Sequence, residues 1–199
     1  MAKDLKNTPK VLGLDISTKT IGWSLFEIQT QKLLELTHFS PVIKPQPEDK
    51  IEELLMKVDA FEEKLEGYRD LGITKVVIEE PLLGSNNIHT VGTLMRYNAM
   101  ITKAIYDALG IVPNYISTYN SRKFAWQNLM GKNDKNREVL FGGYPKDIDK
   151  KQVVWEMVAK EEPQINWLYT KNMTLKKECY DQADAYTCVR GYMKMNKFW

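Results

Sequence analysis

The first forty residues hold three strand-length apolar segments separated by connectors too short for a crossover, and this limits the folds open to the chain. The segments are residues 11–14, ending at Asp15, then 21–28 (IGWSLFEI) and 32–39, joined by the polar stretches STKT and QTQ. Parallel neighbours need a crossover of about a dozen residues or more, whereas antiparallel ones close through a few polar residues. The spacing therefore predicts an antiparallel meander.

Downstream the pattern changes period. Ile51, Leu54, Leu55, Val58, Phe61 and Leu65 recur at three- and four-residue spacing, which predicts an amphipathic helix over 48–69, stopped by Leu71-Gly72. The β-branched run KVVIEE (75–80) suits a buried strand, with Pro81 ending its ladder. A helix over 90–109 closed by Gly110, a fifth strand over 112–117 and a helix over 120–130 follow. Residues 131–147, rich in Gly, Asn, Lys and Asp, read as a long mobile basic loop, and helices over 148–160 and 179–195 end the chain. Three antiparallel strands followed by βα units give an α/β, RNase H-like order: a mixed five-stranded sheet with helices on both faces. A single domain over 1–199, with the basic loop as an insertion at 131–147, accommodates all of it.

Composition narrows the class without naming a partner. Hydrophobic residues at 43% and charged residues at 27% describe a globular chain rather than a disordered one. The net charge of +2 neither requires nor excludes nucleic acid, since metal-binding acids can offset a basic surface. Cys179 and Cys188 form no CxxC pair and lie far from His38 and His89, which argues against structural zinc. They read as free thiols of a reducing cytoplasm, or the host-cell cytoplasm for a phage-encoded protein. No signal peptide is visible, and no apolar run approaches the roughly 18–20 residues of a membrane span.

Four acids stand out by position. Asp15 lies where an apolar strand gives way to a polar turn, although turn aspartates are common caps. Glu79 and Glu80 end a strand expected to be buried, where a glutamate is seldom found unless paired or metal-bound, and alternation does not tell which one points inward. Asp181 and Asp184, three apart, share one helix face beside the small residues Ala183 and Ala185, so their mutual repulsion calls for a cation or another partner. Together they are an all-oxygen set suited to Mg²⁺ or Mn²⁺.

At these residues the sequence resembles the RuvC family of Holliday-junction resolvases, through VLGLDISTKTIGWSLFE, VVIEEPLLGSNNIHTVGTLMRYNAMI, DKKQVVWEMV and YDQADAYTCVRGYM in family order. The resemblance implies that Asp15, Glu79, Asp181 and Asp184 hold two Mg²⁺ ions, with Mn²⁺ able to substitute. It also selects Glu79 over Glu80. It implies a homodimer that cuts four-way DNA junctions by paired nicks, leaving 5′-phosphate and 3′-hydroxyl ends. Lys123 and Lys150 fall where the family presents basic groups to phosphates. Arg122, Lys132, Lys135 and Arg137 enrich the same region. Leu82 stands about where bacterial members place an aromatic wedge. That departure, the long loop and the segment KEEPQINWLYTKNMTLKK point to a phage or viral member.

Alternatives remain at this level. A related nuclease could act on flaps, forks or single strands, and a non-catalytic protein could bind junctions. An actin-like sugar kinase shares the LGLDxxT turn, but the second phosphate loop is missing and Ser17 replaces the usual glycine, so no nucleotide cofactor is expected. Trp126, Trp155, Trp167 and Tyr169 could stack on unpaired bases, although such aromatics usually pack in a core or a dimer contact.

Overall fold

In the computed structural model, residues 8–81 and 87–198 are described. Strands β1 (Lys10–Ile16), β2 (Ile21–Glu27) and β3 (Leu33–Phe39) form the expected antiparallel meander, with Asp15 opposite Gly22. Helix α1 (Lys50–Glu66) starts at Asp49, whose carboxylate accepts from the Ile51 and Glu52 amides, and a 3-10 turn (Arg69–Leu71) follows it. Strand β4 (Ile73–Glu79) then lies parallel to β1. Helix α2 (Ile88–Leu109) leads to β5 (Asn114–Ile116), parallel to β4. The sheet order is β3-β2-β1-β4-β5, a mixed five-stranded sheet.

Helices α3 (Thr118–Ala125), α4 (Lys150–Glu161) and α5 (Lys177–Met195) complete the chain. Strand alternation sorts the sheet residues into two cores. Leu12, Leu14, Trp23, Leu25, Val76 and Ile78 face Leu54 and Phe61 of α1 and Tyr97 and Ile101 of α2. Val11, Phe26 and Val77 face Val154 of α4 and Ala183, Tyr186 and Val189 of α5. Helices therefore cover both faces, as the strand order predicts.

Three elements differ from the sequence expectation. The fifth strand shortens to three residues, with Val112 and Pro113 preceding it. The helix expected over 120–130 starts earlier, where the Ser117 hydroxyl accepts from the Asn120 amide, and stops at Ala125. Trp126 leaves the helix to donate its indole N–H to Glu161 (3.0 Å), and a 3-10 turn, Gln127–Leu129, follows. The stretch read as a mobile loop instead holds a hairpin of β6 (Met130–Lys132) and β7 (Glu138–Leu140), capped by buried Phe141. Phe141, with Leu140, Tyr144 and Ile148 packed beside it, ties to the core a segment whose composition is otherwise that of a loop.

Both cysteines are buried thiols on α5. Among the described residues no helix is long and apolar enough to cross a membrane. Of the singled-out aromatics, Trp126 is buried, while Trp155 and Trp167 are partly buried and meet edge to face at 5.8 Å. Tyr169 is 43% exposed and packs in no core.

Candidate active site

The site forms where β1 and β4 run side by side beneath α5. Odd-numbered residues of both strands face that helix: Val11 and Val77 pack under it, so Asp15 and Glu79 project to the same side. Glu80 belongs to the opposite parity, and its amide donates to the Ile116 carbonyl at 2.9 Å.

What brings the α5 acids down to these strands is a pair of close approaches. A Cβ at Gly22, the residue opposite Asp15, would lie 1.9 Å from the Asp181 carbonyl oxygen, so the helix backbone rests directly on the strand there. Two residues on, the Ser24 hydroxyl donates to the Ala185 carbonyl at 2.8 Å in a buried bond. Gly191 does the same between helices: a Cβ there would be 2.3 Å from the Ser121 carbonyl oxygen of α3. That contact sets Arg122, the next residue, against α5. Gly22, Ser24 and Gly191 were not singled out from sequence; a glycine inside a strand pattern is the available signal for such an approach.

As a result one carboxylate oxygen each of Asp15, Glu79 and Asp184 lie within 4.8 Å of one another. Asp184 is 5% exposed. Asp181 is outside this triad and sits at the rim, its side chain 19% exposed. The four acids line a cleft of about 210 Å³ together with Ser17, Thr118, Arg122 and Lys151, and Glu80 lies on its wall outside the triad. Burial, then the neighbouring charges of Glu79 and Asp184, push the Asp15 carboxyl well above its ordinary range. Burial and the Asp184 charge raise Glu79 to about 7, against the pull of Thr118, Arg122 and Lys151. Burial also lifts Asp181 to about 6, with Lys151 opposing.

Two cations meet this charge differently. Arg122 is 12% exposed and its guanidinium donates to Asp184 Oδ1 at 3.0 Å, so it is a partner of the acids rather than an open phosphate contact. Its Nε is buried in the cleft wall without a hydrogen-bond partner. Lys151 is 54% exposed and stands 3.6 Å from Asp184 Oδ2 and 3.9 Å from Asp181 Oδ1, close enough to attract but too far to bond tightly. The sequence did not bring it out: the family resemblance points to its neighbour Lys150, and nothing local to the helix start at Lys150 tells which of the two lysines faces the acids.

Lys150 is exposed, its ammonium 5.9 Å from the Phe141 ring. Lys123 is half-buried on α3 beside Tyr119 and Phe124, outside the cleft. Leu82 lies outside the described residues.

The donor set suits a hard divalent cation. Three crowded carboxylates, with no histidine or thiol in the triad, match the oxygen preference of Mg²⁺ and Mn²⁺. A metal there would relieve the repulsion that now favours protons.

Fold and site together define an α/β architecture of RNase H-like strand order with an acidic cleft at the C-terminal ends of two neighbouring parallel strands. No protein-family model matches the sequence, and no curated protein is similar at the sequence level. Among solved structures, the yeast mitochondrial Holliday junction resolvase is similar, with a TM-score of 0.63 at 13% identity over 98% of this chain and 82% of that one. RuvC of T. thermophilus, solved with a Holliday junction substrate, is similar over 94% of this chain and 95% of its own, with a TM-score of 0.59 at 14% identity. At these identities the likeness is one of fold.

Proposed function

We propose that this chain is a metal-dependent endonuclease that resolves four-way DNA junctions. The observation that carries the reading is the convergence of Asp15, Glu79 and Asp184 within 4.8 Å on a fold shared with two Holliday-junction resolvases. Asp15, Glu79 and Asp184 would hold the metal, with Asp181 completing a second position at the rim. Two Mg²⁺ ions, or Mn²⁺ in their place, would activate water and stabilise the leaving oxygen, giving 5′-phosphate and 3′-hydroxyl ends.

The protein's own part is to position. Arg122 fixes the Asp184 carboxylate from one side, leaving its other oxygen toward the cleft. Lys151 at the cleft mouth can turn from the acids to a substrate phosphate. Exposed Lys150 and half-exposed Lys123 lie on the two helices flanking the cleft wall and would track flanking phosphates. Paired nicks across a symmetric junction require two such sites related by a two-fold axis, so the working form is a homodimer.

The test compares cleavage of a four-way junction with that of flap, fork and linear duplex DNA in Mg²⁺, for wild type and for Asp15→Asn and Asp184→Asn. Paired junction nicks by wild type, lost in both variants while junction binding is retained, are expected. Preference for flaps or forks would move the substrate class. Undiminished cutting by folded variants would remove the site assignment.

A further inference from the structure

The segment between α4 and α5 takes no part in the chemistry proposed above, yet it has a defined shape. Tyr169 and Leu175 pair in an antiparallel bridge. The Thr170 amide donates to the Thr174 carbonyl at 2.7 Å, and the Met173 amide to the Thr170 carbonyl at 3.0 Å. The Lys176 amide closes the root by donating to the Leu168 carbonyl at 2.9 Å. Buried Cys179 holds that root to α5, its sulfur accepting from the Leu168 amide at 3.3 Å. Residues 168–176 are thus a short, anchored hairpin arm.

Its surface combines two features. Met173 at the turn is 77% exposed and Tyr169 is 43% exposed. Residues 167–177 also contain three lysines, 171, 176 and 177, and no acid, in a chain whose charges nearly balance. Just past the arm's root, Lys177 and Tyr180 of α5 line a hollow of about 430 Å³ shared with Lys19, Asp149, Lys151 and Asp181. A strand whose phosphate reached Asp181 would pass this root.

Resting on the nuclease reading, we propose that the arm is a binding surface for unpaired nucleotides next to the cleavage site. Bases stack on Tyr169 and Met173, while Lys171, Lys176 and Lys177 neutralise the backbone. An aromatic face accepts any base, and cations beside it hold the phosphates, which is the combination that single strands require. A paired duplex keeps its bases inside and gains only the phosphate contacts. The arm therefore discriminates open DNA from closed DNA.

The experiment is fluorescence anisotropy of the full chain, without divalent metal, on a labelled single-stranded 20-mer and on the same sequence as duplex. Replacing Tyr169 and Met173 together by Ala should weaken single-strand binding about tenfold and duplex binding little. Tyr169→Phe should bind as wild type. Lys171→Ala with Lys176→Ala should reduce the salt slope on the single strand by about 1.4. Thermal melting of the variants should match wild type, because the replaced side chains touch no core.

Equal losses on both DNAs, or no loss, would overturn the proposal. So would absence of single-strand binding by wild type, or a change in oligomeric mass that marks the arm as a contact between copies. Junction cleavage by wild type, run in parallel with Mg²⁺, separates the two readings. Arm-dependent binding without cleavage condemns only the nuclease assignment, and cleavage with an indifferent arm condemns only the arm.

Discussion

At the scale of residues, Lys151 is the exposed cation that stands beside the acids of the cleft. It is the loosely held counter-ion of Asp181 and Asp184, whereas Arg122 is locked to Asp184. Removing its charge from the cluster should destabilise the metal-free protein and strengthen divalent binding, because the competing cation is gone. Lys151→Gln is expected to bind Mn²⁺ several-fold more tightly by titration calorimetry and yet cut more slowly; unchanged Mn²⁺ affinity would show that Lys151 does not compete. The acids also set a pH response. Glu79 at about 7, Asp181 at about 6 and a raised Asp15 all bind protons more tightly folded than unfolded. Their contribution is present at low pH and is lost as pH rises through the folded values. The metal-free protein should therefore melt higher near pH 5 than near pH 7.5. Each kcal/mol corresponds to about 2–4 °C for a chain of this size. Mg²⁺ should reverse the trend, raising the melting temperature more at pH 7.5 than at pH 5, since it needs deprotonated ligands. Calorimetric scans at the two pH values, with and without Mg²⁺, check both signs.

Among elements, the docking of α5 on the sheet decides the site. The contacts of Gly22 with Asp181 and of Gly191 with Ser121 leave no room for a methyl group at either place. Gly22→Ala should push the start of α5 off β2, carrying Asp181 with it. The expected cost is about 1–3 kcal/mol in urea unfolding, together with weaker metal binding, and a variant as stable as wild type would mean that the helix yields freely. A substitution on the exposed face of α4, Lys160→Ala, should do neither. A second junction lies under the β1–β2 turn, where the Lys57 ammonium donates to the Thr18 carbonyl at 2.8 Å and pairs with Glu53 at 2.5 Å. Both side chains are buried within a helix whose periodicity marks them as polar. That buried pair braces the turn that carries Ser17 into the cleft wall.

For the whole molecule, two cores share one sheet, so neither face can unfold while the strands persist. Phe61, fully buried against Trp23, belongs to the core remote from the acids. Phe61→Ala should cost about 3–5 kcal/mol and still give a single transition, with far-ultraviolet dichroism and tryptophan fluorescence coincident. Separate transitions would show that the faces fold independently. The sequence by itself determined the meander, the βα order and the layer arrangement, because strand and helix periods are local properties of side-chain direction and cover. It also marked the acids, since a carboxylate at the end of a buried strand is already anomalous. By side-chain period alone it could not rank Glu79 against Glu80, which only the family resemblance separated, and it did not bring out Lys151 beside Lys150. The first choice needs the face on which β4 meets α5, and the second needs the rotation of α4. It likewise treated Arg122 as a surface cation and residues 131–147 as loose, because the Asp184 pairing and the seat of Phe141 are contacts between distant segments. Only the tertiary structure decided which charges meet. The reason is physical: periodicity tells a residue which way to point, whereas packing distances, such as the bare strand at Gly22, tell it what it will touch.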